Sequence, residues 1–135
     1  MANKTRAFLK NSNSDFNNIL DSIVVLESTQ GAVTQSTNHT TGVTINATSG
    51  IITLAAVALN ATTNAEFTVT NSFVKSDSVI LLTMQDENTI NNTQLVCAHH
   101  TIADGSFKIT IANTDSAQDS SATAVKIHFL VVNNS

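Results

Sequence analysis

The chain has 135 residues, 41% of them hydrophobic, which is enough for one domain with a buried core. Only 12% of the residues are charged and the net charge is −4, which argues against a nucleic-acid partner, because binding phosphates requires many lysines and arginines. No apolar run is long enough to span a membrane, and the N-terminus lacks the apolar core of a signal peptide, so we expect synthesis and folding in the cytoplasm.

The first ten residues form a basic arm ahead of an acidic body. The arm carries half of the six positively charged residues of the chain, with two apolar residues between them. Such an arm is either a solvated tail or an anchor that binds an acidic partner surface. The arm residues that would make this contact are Lys4, Arg6, Phe8, Leu9 and Lys10.

A short amphipathic helix is predicted from about Ser14 to Glu27. Polar capping residues precede it, and apolar residues follow at helical spacing. The alternative is a β-strand over Ile23–Leu26, where β-branched residues crowd and both faces are apolar. The apolar stripe of the helix needs cover from the sheet, from other subunits or from a partner. We therefore divide the chain into an anchor, residues 1–29, and a β domain, residues 30–135. The helix would add Phe16, Ile19, Leu20 and Ile23 to the anchor.

Beyond Gln30 the chain changes to short apolar runs separated by polar turns. In the stretch Asp104–Asn113, apolar and polar residues alternate with the period of a half-buried strand, and Ala124–Val132 repeats the pattern. Ser49-Gly50 and Asp104-Gly105 are turn signals. The spacing predicts an all-β domain of seven to eight strands, an antiparallel β-sandwich or a jelly roll. The remaining predicted strands are Gly42–Asn46, Ile51–Leu54, Glu66–Thr70, Ser78–Thr83 and Thr93–Ala98, with loops at 60–64, 85–92 and 113–121.

The predicted sheets lack the residues that usually protect sheet edges. The chain has no proline, and lysine is scarce within the strands. More than a third of the residues are Asn, Ser or Thr, so solubility depends on neutral polar groups, which tolerate close packing with neighbours. Loops or bulges could cover the edges, but a closed homo-oligomer fits the low charge better.

Four segments resemble short β-rich virion proteins of tailed bacteriophages. They are Thr34–Thr53, Glu66–Ser72, Ala103–Phe107 and Val125–Val131. The resemblance covers residues 34 to 132 and implies a structural component of the virus particle, in which a variable N-terminal segment precedes a β domain. It also implies a trimer and brings no catalytic residues with it.

A metal site is one alternative use of the histidines. Cys97 and His99 share a face of a predicted strand, and His128 could join them as a zinc ligand, whereas His100 points the other way. Since a structural zinc site normally has four ligands, we expect these side chains to be structural or exposed. His39 is expected at the solvent-facing surface or at an interface, with an oligomer axis as the alternative.

The carboxylates are weak candidates as well. Asp115 and Asp119 could bind calcium, but their loop lacks the glycine and the terminal carboxylate of a known calcium loop. Asp86 and Glu87 are adjacent and would point apart on a strand, which disfavours an acid/base pair. No nucleophile elbow and no phosphate loop occur, so we expect no catalytic residue, metal or cofactor.

The predicted function is therefore that of a homotrimeric capsid decoration or cement protein. Residues 1–29 would bind the major capsid protein or another virion protein, and the β domain would lie on the outer capsid surface. The first alternative is the head domain of a tail or capsid fibre or spike that contacts a host receptor. The second is a non-viral carbohydrate-binding or hydrolytic β-sandwich module, although the lack of Trp and Tyr weakens a sugar-binding role.

Overall fold

The computed structural model describes residues 30–85 and 94–133, and these form an all-β domain. The predicted helix, Ser14 to Glu27, lies outside the described residues, as does most of the predicted loop 85–92. Among the described residues, no helix is long and apolar enough to cross a membrane. The strands are β1 Gln30–Thr34, β2 Val43–Thr44, β3 Ser49–Thr53, β4 Asn64–Thr70, β5 Val79–Gln85, β6 Leu95–Ala103, β7 Ser106–Asn113 and β8 Lys126–Val132.

The strands form two four-stranded sheets. Sheet A has the order β1-β3-β8-β5, and sheet B has the order β2-β4-β7-β6. In each sheet one of the two inner strands is antiparallel to both of its neighbours: β8 pairs with β3 and β5, and β7 pairs with β4 and β6. The two stretches that alternate most regularly in the sequence are therefore inner strands, and the residues on one face of each are buried.

The antiparallel prediction is wrong for one strand pair in each sheet. β2 pairs with β4 in parallel. β1 is also parallel to β3. Gly31 lies against Gly50, and further along both strands the backbone N–H of Gln35 donates to the carbonyl of Thr53, 2.9 Å away. Short edge strands of this kind carry few apolar residues, so their direction leaves little trace in the sequence.

The inward faces of the two sheets share one hydrophobic core. Phe107 of sheet B and Phe129 of sheet A meet in the middle, with ring centroids 6.3 Å apart and planes tilted by 52°. Around them, β-branched residues from β3, β4, β7 and β8 are fully buried. The core members with no exposed surface are Ile52, Val69, Val74, Phe107, Ile109, Ile111 and Ile127.

Two glycine positions differ in their structural roles. Ser49-Gly50 was predicted to be a turn, but it begins β3. A Cβ atom on Gly50 would lie 2.4 Å from the carbonyl oxygen of Gly31, so glycine is needed for the close approach of β1. Gly105 confirms the predicted Asp104-Gly105 turn. It joins β6 to β7 with a φ of 83°, a conformation that side chains disfavour.

Asn71, immediately after β4, ties two distant segments together through a completely buried amide. Its Nδ2 donates to the carbonyl of Ala47 at 2.7 Å, and its Oδ1 accepts from the backbone N–H of Phe73 at 3.0 Å. The side chain therefore satisfies backbone groups that the sheets leave unpaired, as buried polar groups require.

Candidate functional site

All nine residues predicted to anchor the chain on a partner lie outside the described residues. Their role stays a prediction, as does the division of the chain near residue 29. Asp86 and Glu87 also lie outside the described residues, so the expectation that they form no acid/base pair stays a prediction. The surfaces that the structure describes are the outer faces of the two sheets and the loops between strands. The anchor residues are Lys4, Arg6, Phe8, Leu9, Lys10, Phe16, Ile19, Leu20 and Ile23.

The candidate zinc ligands are not brought together. Cys97 and His99 pair with inward-facing residues of β7 and share one face of β6, as predicted from their spacing. His128 lies instead on the outer face of sheet A, where its Nε2 is 2.6 Å from the Oε1 atom of Gln85. Within residues 30–85 and 94–133, no group of three or more His, Cys, Asp or Glu side chains could hold a metal ion.

Cys97 has the properties of a structural thiol. It is half-buried and packs against the hydrophobic core. Burial raises the pKa of the thiol, which keeps it protonated and therefore a poor nucleophile and metal ligand.

His39 is buried, so the expectation of a solvent-facing side chain is wrong. Its Nε2 is 3.1 Å from the carbonyl oxygen of Ala55, which fixes the proton on that nitrogen. Gln35 completes the network: its Nε2 donates to the carbonyl of Thr41 at 2.9 Å, and its Oε1 accepts from the N–H of Ala55 at 3.2 Å. Burial lowers the pKa of His39, and the hydrogen bond to Ala55 opposes this shift only in part. His39 is therefore neutral and holds the loop after β1.

The two aspartates considered as calcium ligands are hydrogen-bonded to the protein. Asp115 Oδ1 accepts from the N–H groups of Ala117 and Gln118 at 2.7 and 2.8 Å, and its Oδ2 accepts from Gln94 Nε2 at 2.9 Å. The hydrogen bond from Gln94, together with the two from the backbone, lowers the pKa of Asp115. Asp119 Oδ1 accepts from a backbone N–H of the loop before β4 at 2.9 Å. These carboxylates therefore stabilise the loop after β7.

The same loop is fastened to the body by a buried amide. Asn113 ends β7, and its Nδ2 donates to the carbonyls of Leu59 and Gln118, each at 2.9 Å. Ser120 adds a hydroxyl that accepts from the N–H of Leu59 at 2.8 Å. As a result the exposed tip of the loop, Ser116 and Ala117, is presented on a rigid base.

The outer face of sheet B carries a polar cluster, the Glu66 cluster, made of Glu66, His100, Thr101, Lys108 and Thr110. Glu66 Oε1 is 2.5 Å from Lys108 Nζ, and Glu66 Oε2 is 3.0 Å from His100 Nε2. The hydrogen bond from Lys108 is the main reason that the pKa of Glu66 is lowered, and the positive charge of Lys108 and the imidazole of His100 add to it. His100 also lies within 3.0 Å of both threonine hydroxyls.

The Glu66 cluster places a hydroxyl, an imidazole and a carboxylate in contact, which are the groups of a nucleophilic relay. Thr101 lies in the bulge of β6 with a φ of 51°. However, Glu66 is paired with the positive charge of Lys108. The side chains of His100 and Glu66 are also 40% and 42% exposed, so water reaches the cluster. This arrangement suits a polar contact surface better than catalysis.

The outer face of sheet A differs from that of sheet B in having an apolar half, the aliphatic strip, made of Val79, Leu81, Leu130 and Val132. The strand register places Val79 beside Val132 and Leu81 beside Leu130. Val79, Leu81 and Val132 are 48%, 55% and 42% exposed. Contiguous exposed apolar side chains are typical of interaction sites, so the strip is the candidate functional surface of the described domain.

The sequence prediction missed the aliphatic strip, although a signal was present. Ser78–Thr83 and Ala124–Val132 were both predicted as strands, and Ala124–Val132 was assigned a single buried face. Leu81-Leu82 and Leu130-Val131-Val132 nevertheless break the alternation, and a continuous apolar run is typical of strands covered on both faces.

Comparisons of the chain with protein-family models, with curated proteins and with solved structures find no match. The function must therefore be inferred from the surfaces of the molecule and from the resemblance of residues 34 to 132.

Proposed function

We propose that this protein is a virion structural protein of a tailed bacteriophage, namely a homotrimeric capsid decoration or cement protein. The two sheets form a β-sandwich that lies on the outer shell, and the N-terminal segment, residues 1–29, binds the major capsid protein. Its action is binding, and no reaction is catalysed.

The aliphatic strip is the observation that carries the proposal. An exposed apolar surface on a rigid sheet favours a role in contact between molecules. Three described side chains that could perform chemistry have structural contacts instead: His39 and Asp115 hold loops, and Glu66 is paired with Lys108. The resemblance to phage virion proteins supplies the biological setting.

The copy number of the protein in purified particles tests the proposal directly. Quantitative mass spectrometry should find many copies in a fixed ratio to the major shell protein. A few copies per particle would point instead to a fibre or spike, and complete absence would reject a virion role.

Deletion of residues 1–27 tests the proposed anchor. The truncated protein should keep the circular dichroism spectrum of the β domain but no longer attach to particles, because the basic and apolar anchor residues are gone. The Lys75→Glu variant is the control, since it changes an exposed charge of the body and should attach normally. Attachment of the truncated protein would show that the anchor lies elsewhere.

The second candidate function is the head domain of a fibre or spike. The rigid base under Ser116 and Ala117 favours it, because a receptor-binding loop gains affinity when it is held in place before binding. Replacing both residues by lysine should then reduce adsorption to the host. Unchanged adsorption would count against this alternative.

A further inference from the structure

We propose that the aliphatic strip, together with the edge of β5 that no described strand covers, is the surface through which copies of this chain contact one another. This inference rests on the self-association contained in the proposed function, and it identifies the strand that each copy contributes. It does not depend on what the N-terminal segment binds.

The apolar half of sheet A has the residue pattern of a covered surface. On β8, Leu130 and Val132 face outward while Val131, between them, faces the core. On the outer face of sheet B, the centre carries charged or hydroxyl side chains such as Glu66 and Lys108. Among the described strand residues of that face, Val96 is the exposed large apolar one, at 49%, and it lies on the edge strand beside Ala112 with no second large apolar residue paired to it. The difference between the two faces indicates that sheet A has a partner that sheet B lacks.

The edge of β5 borders the strip, and within residues 30–85 and 94–133 no strand covers it. All seven residues of β5 pair with β8 in regular register, and no other described strand pairs with β5. Charged residues, prolines and bulges normally prevent edge-to-edge pairing of strands. The strand Val79–Gln85 has none of the three. A long regular edge beside an apolar face can add another strand.

Charge favours a second copy as the occupant. The chain has a net charge of −4, so two copies repel each other overall, and the repulsion is smallest where they meet through uncharged surface. The strip and β5 carry no charged side chain, and the charged residue that shares this face, Lys126, lies at the opposite end of β8 from Val132. A nucleic acid or an anionic membrane would need a cluster of positive charge here, whereas an identical aliphatic surface needs none.

The surroundings of the strip match the anatomy of a protein interface. Polar groups border the apolar centre, including the pair formed by His128 and Gln85. The end of β8 is held in place because Ser78 Oγ donates to Asn133 Oδ1, and Asn133 Nδ2 donates to the carbonyl of Phe73 at 2.9 Å. A rigid surface loses little conformational freedom on association.

Sedimentation velocity on the full chain tests the proposal. The wild-type protein should sediment as an oligomer, three times the chain mass of 14.3 kDa for the proposed trimer. Leu81→Lys should weaken self-association by at least about 30-fold, the size expected for a central contact residue. The control is Thr70→Lys, which also changes an exposed strand residue but lies on the outer face of sheet B, so this variant should keep the wild-type mass. A wild-type monomer, or a Leu81→Lys oligomer of unchanged mass, would overturn the inference.

Cysteine cross-linking provides a second readout that does not depend on the lysine variant folding. In a Cys97→Ser background, Leu81→Cys should form covalent dimers under mild oxidation, and Thr70→Cys should not. Equal cross-linking of the two variants would contradict the assignment.

The two proposals can fail separately. Particle attachment by a wild-type protein that is monomeric in solution and does not cross-link would remove the self-contact surface and leave capsid binding intact. An oligomer that cross-links through position 81 but is absent from particles would reject the virion role and leave the self-contact surface intact.

Discussion

Replacement of Asn71 by alanine should destabilise the domain more than its size suggests. Asn71 is completely buried, and its amide is the donor that the structure shows for the carbonyl of Ala47. Alanine would leave this carbonyl without a partner inside the protein. It would also remove the acceptor for the backbone N–H of Phe73.

The magnitude follows from these two bonds. A buried carbonyl without a partner costs about 1–3 kcal/mol, and the partly buried hydrogen bond to Phe73 contributes about 0.5–1.5 kcal/mol. The free energy of unfolding should therefore fall by roughly 2–4 kcal/mol. For a domain of this size, that corresponds to a decrease in Tm of roughly 10–20 °C.

Differential scanning calorimetry and urea unfolding would measure the loss, with Asn64→Ala as the control. Asn64 begins the same strand, is exposed, and forms no side-chain hydrogen bond to a residue of the described ranges, so its replacement should change Tm by no more than about 3 °C. Asn71→Asp should be worse than Asn71→Ala, because it places a carboxylate oxygen against the carbonyl of Ala47. Similar Tm values for Asn71→Ala and Asn64→Ala would refute the role assigned to the buried amide.

Three further predictions concern pH and backbone packing. The pKa of His39 is lowered in the folded state, so as the pH falls the imidazole is protonated at a higher pH in the unfolded chain than in the folded one. Stability should then fall as the pH drops below about 6.5, a loss that His39→Gln removes in thermal melts across pH. Because the pKa of Glu66 is also lowered, its contribution is present above pH 4.5 and lost in more acidic solution; Glu66→Gln should flatten the Tm profile there. Gly50→Ala should cost about 1–3 kcal/mol in urea unfolding because its Cβ meets the carbonyl of Gly31. Gly105→Ala, with open space around it, should cost about 1–2 kcal/mol for its positive φ alone.

The long strands could be predicted from the sequence because burial on one face imposes a period of two. The alternation of Phe107, Ile109 and Ile111 placed β7 correctly, and the Asp104-Gly105 turn was found from its residue types. β1, Gln30–Thr34, was missed because only Val33 packs against the core, so the strand shows no clear alternation. Gly50 was taken as a turn residue because a close approach between strands and a turn both favour glycine.

The described surfaces were predicted less well than the strands. The buried position of His39 depends on Gln35 and Ala55. Hydrogen bonds between residues this far apart in the chain leave no periodic pattern in the sequence. The role of Asp115 could not be read either, since a loop carboxylate that binds calcium and one that caps its own backbone have the same local sequence.

The central position of β8 in sheet A affects how the chain folds on the ribosome. Sheet B has all its strands once β7 has been made, so it can form while the chain is still growing. β3 and β5 must wait, because Ile51 and Leu82 find their neighbours His128 and Phe129 only on a strand that is synthesised later. Sheet A closes when β8 inserts between two waiting strands, and until then the apolar segment Val79–Gln85 is open to neighbouring nascent chains or to chaperones.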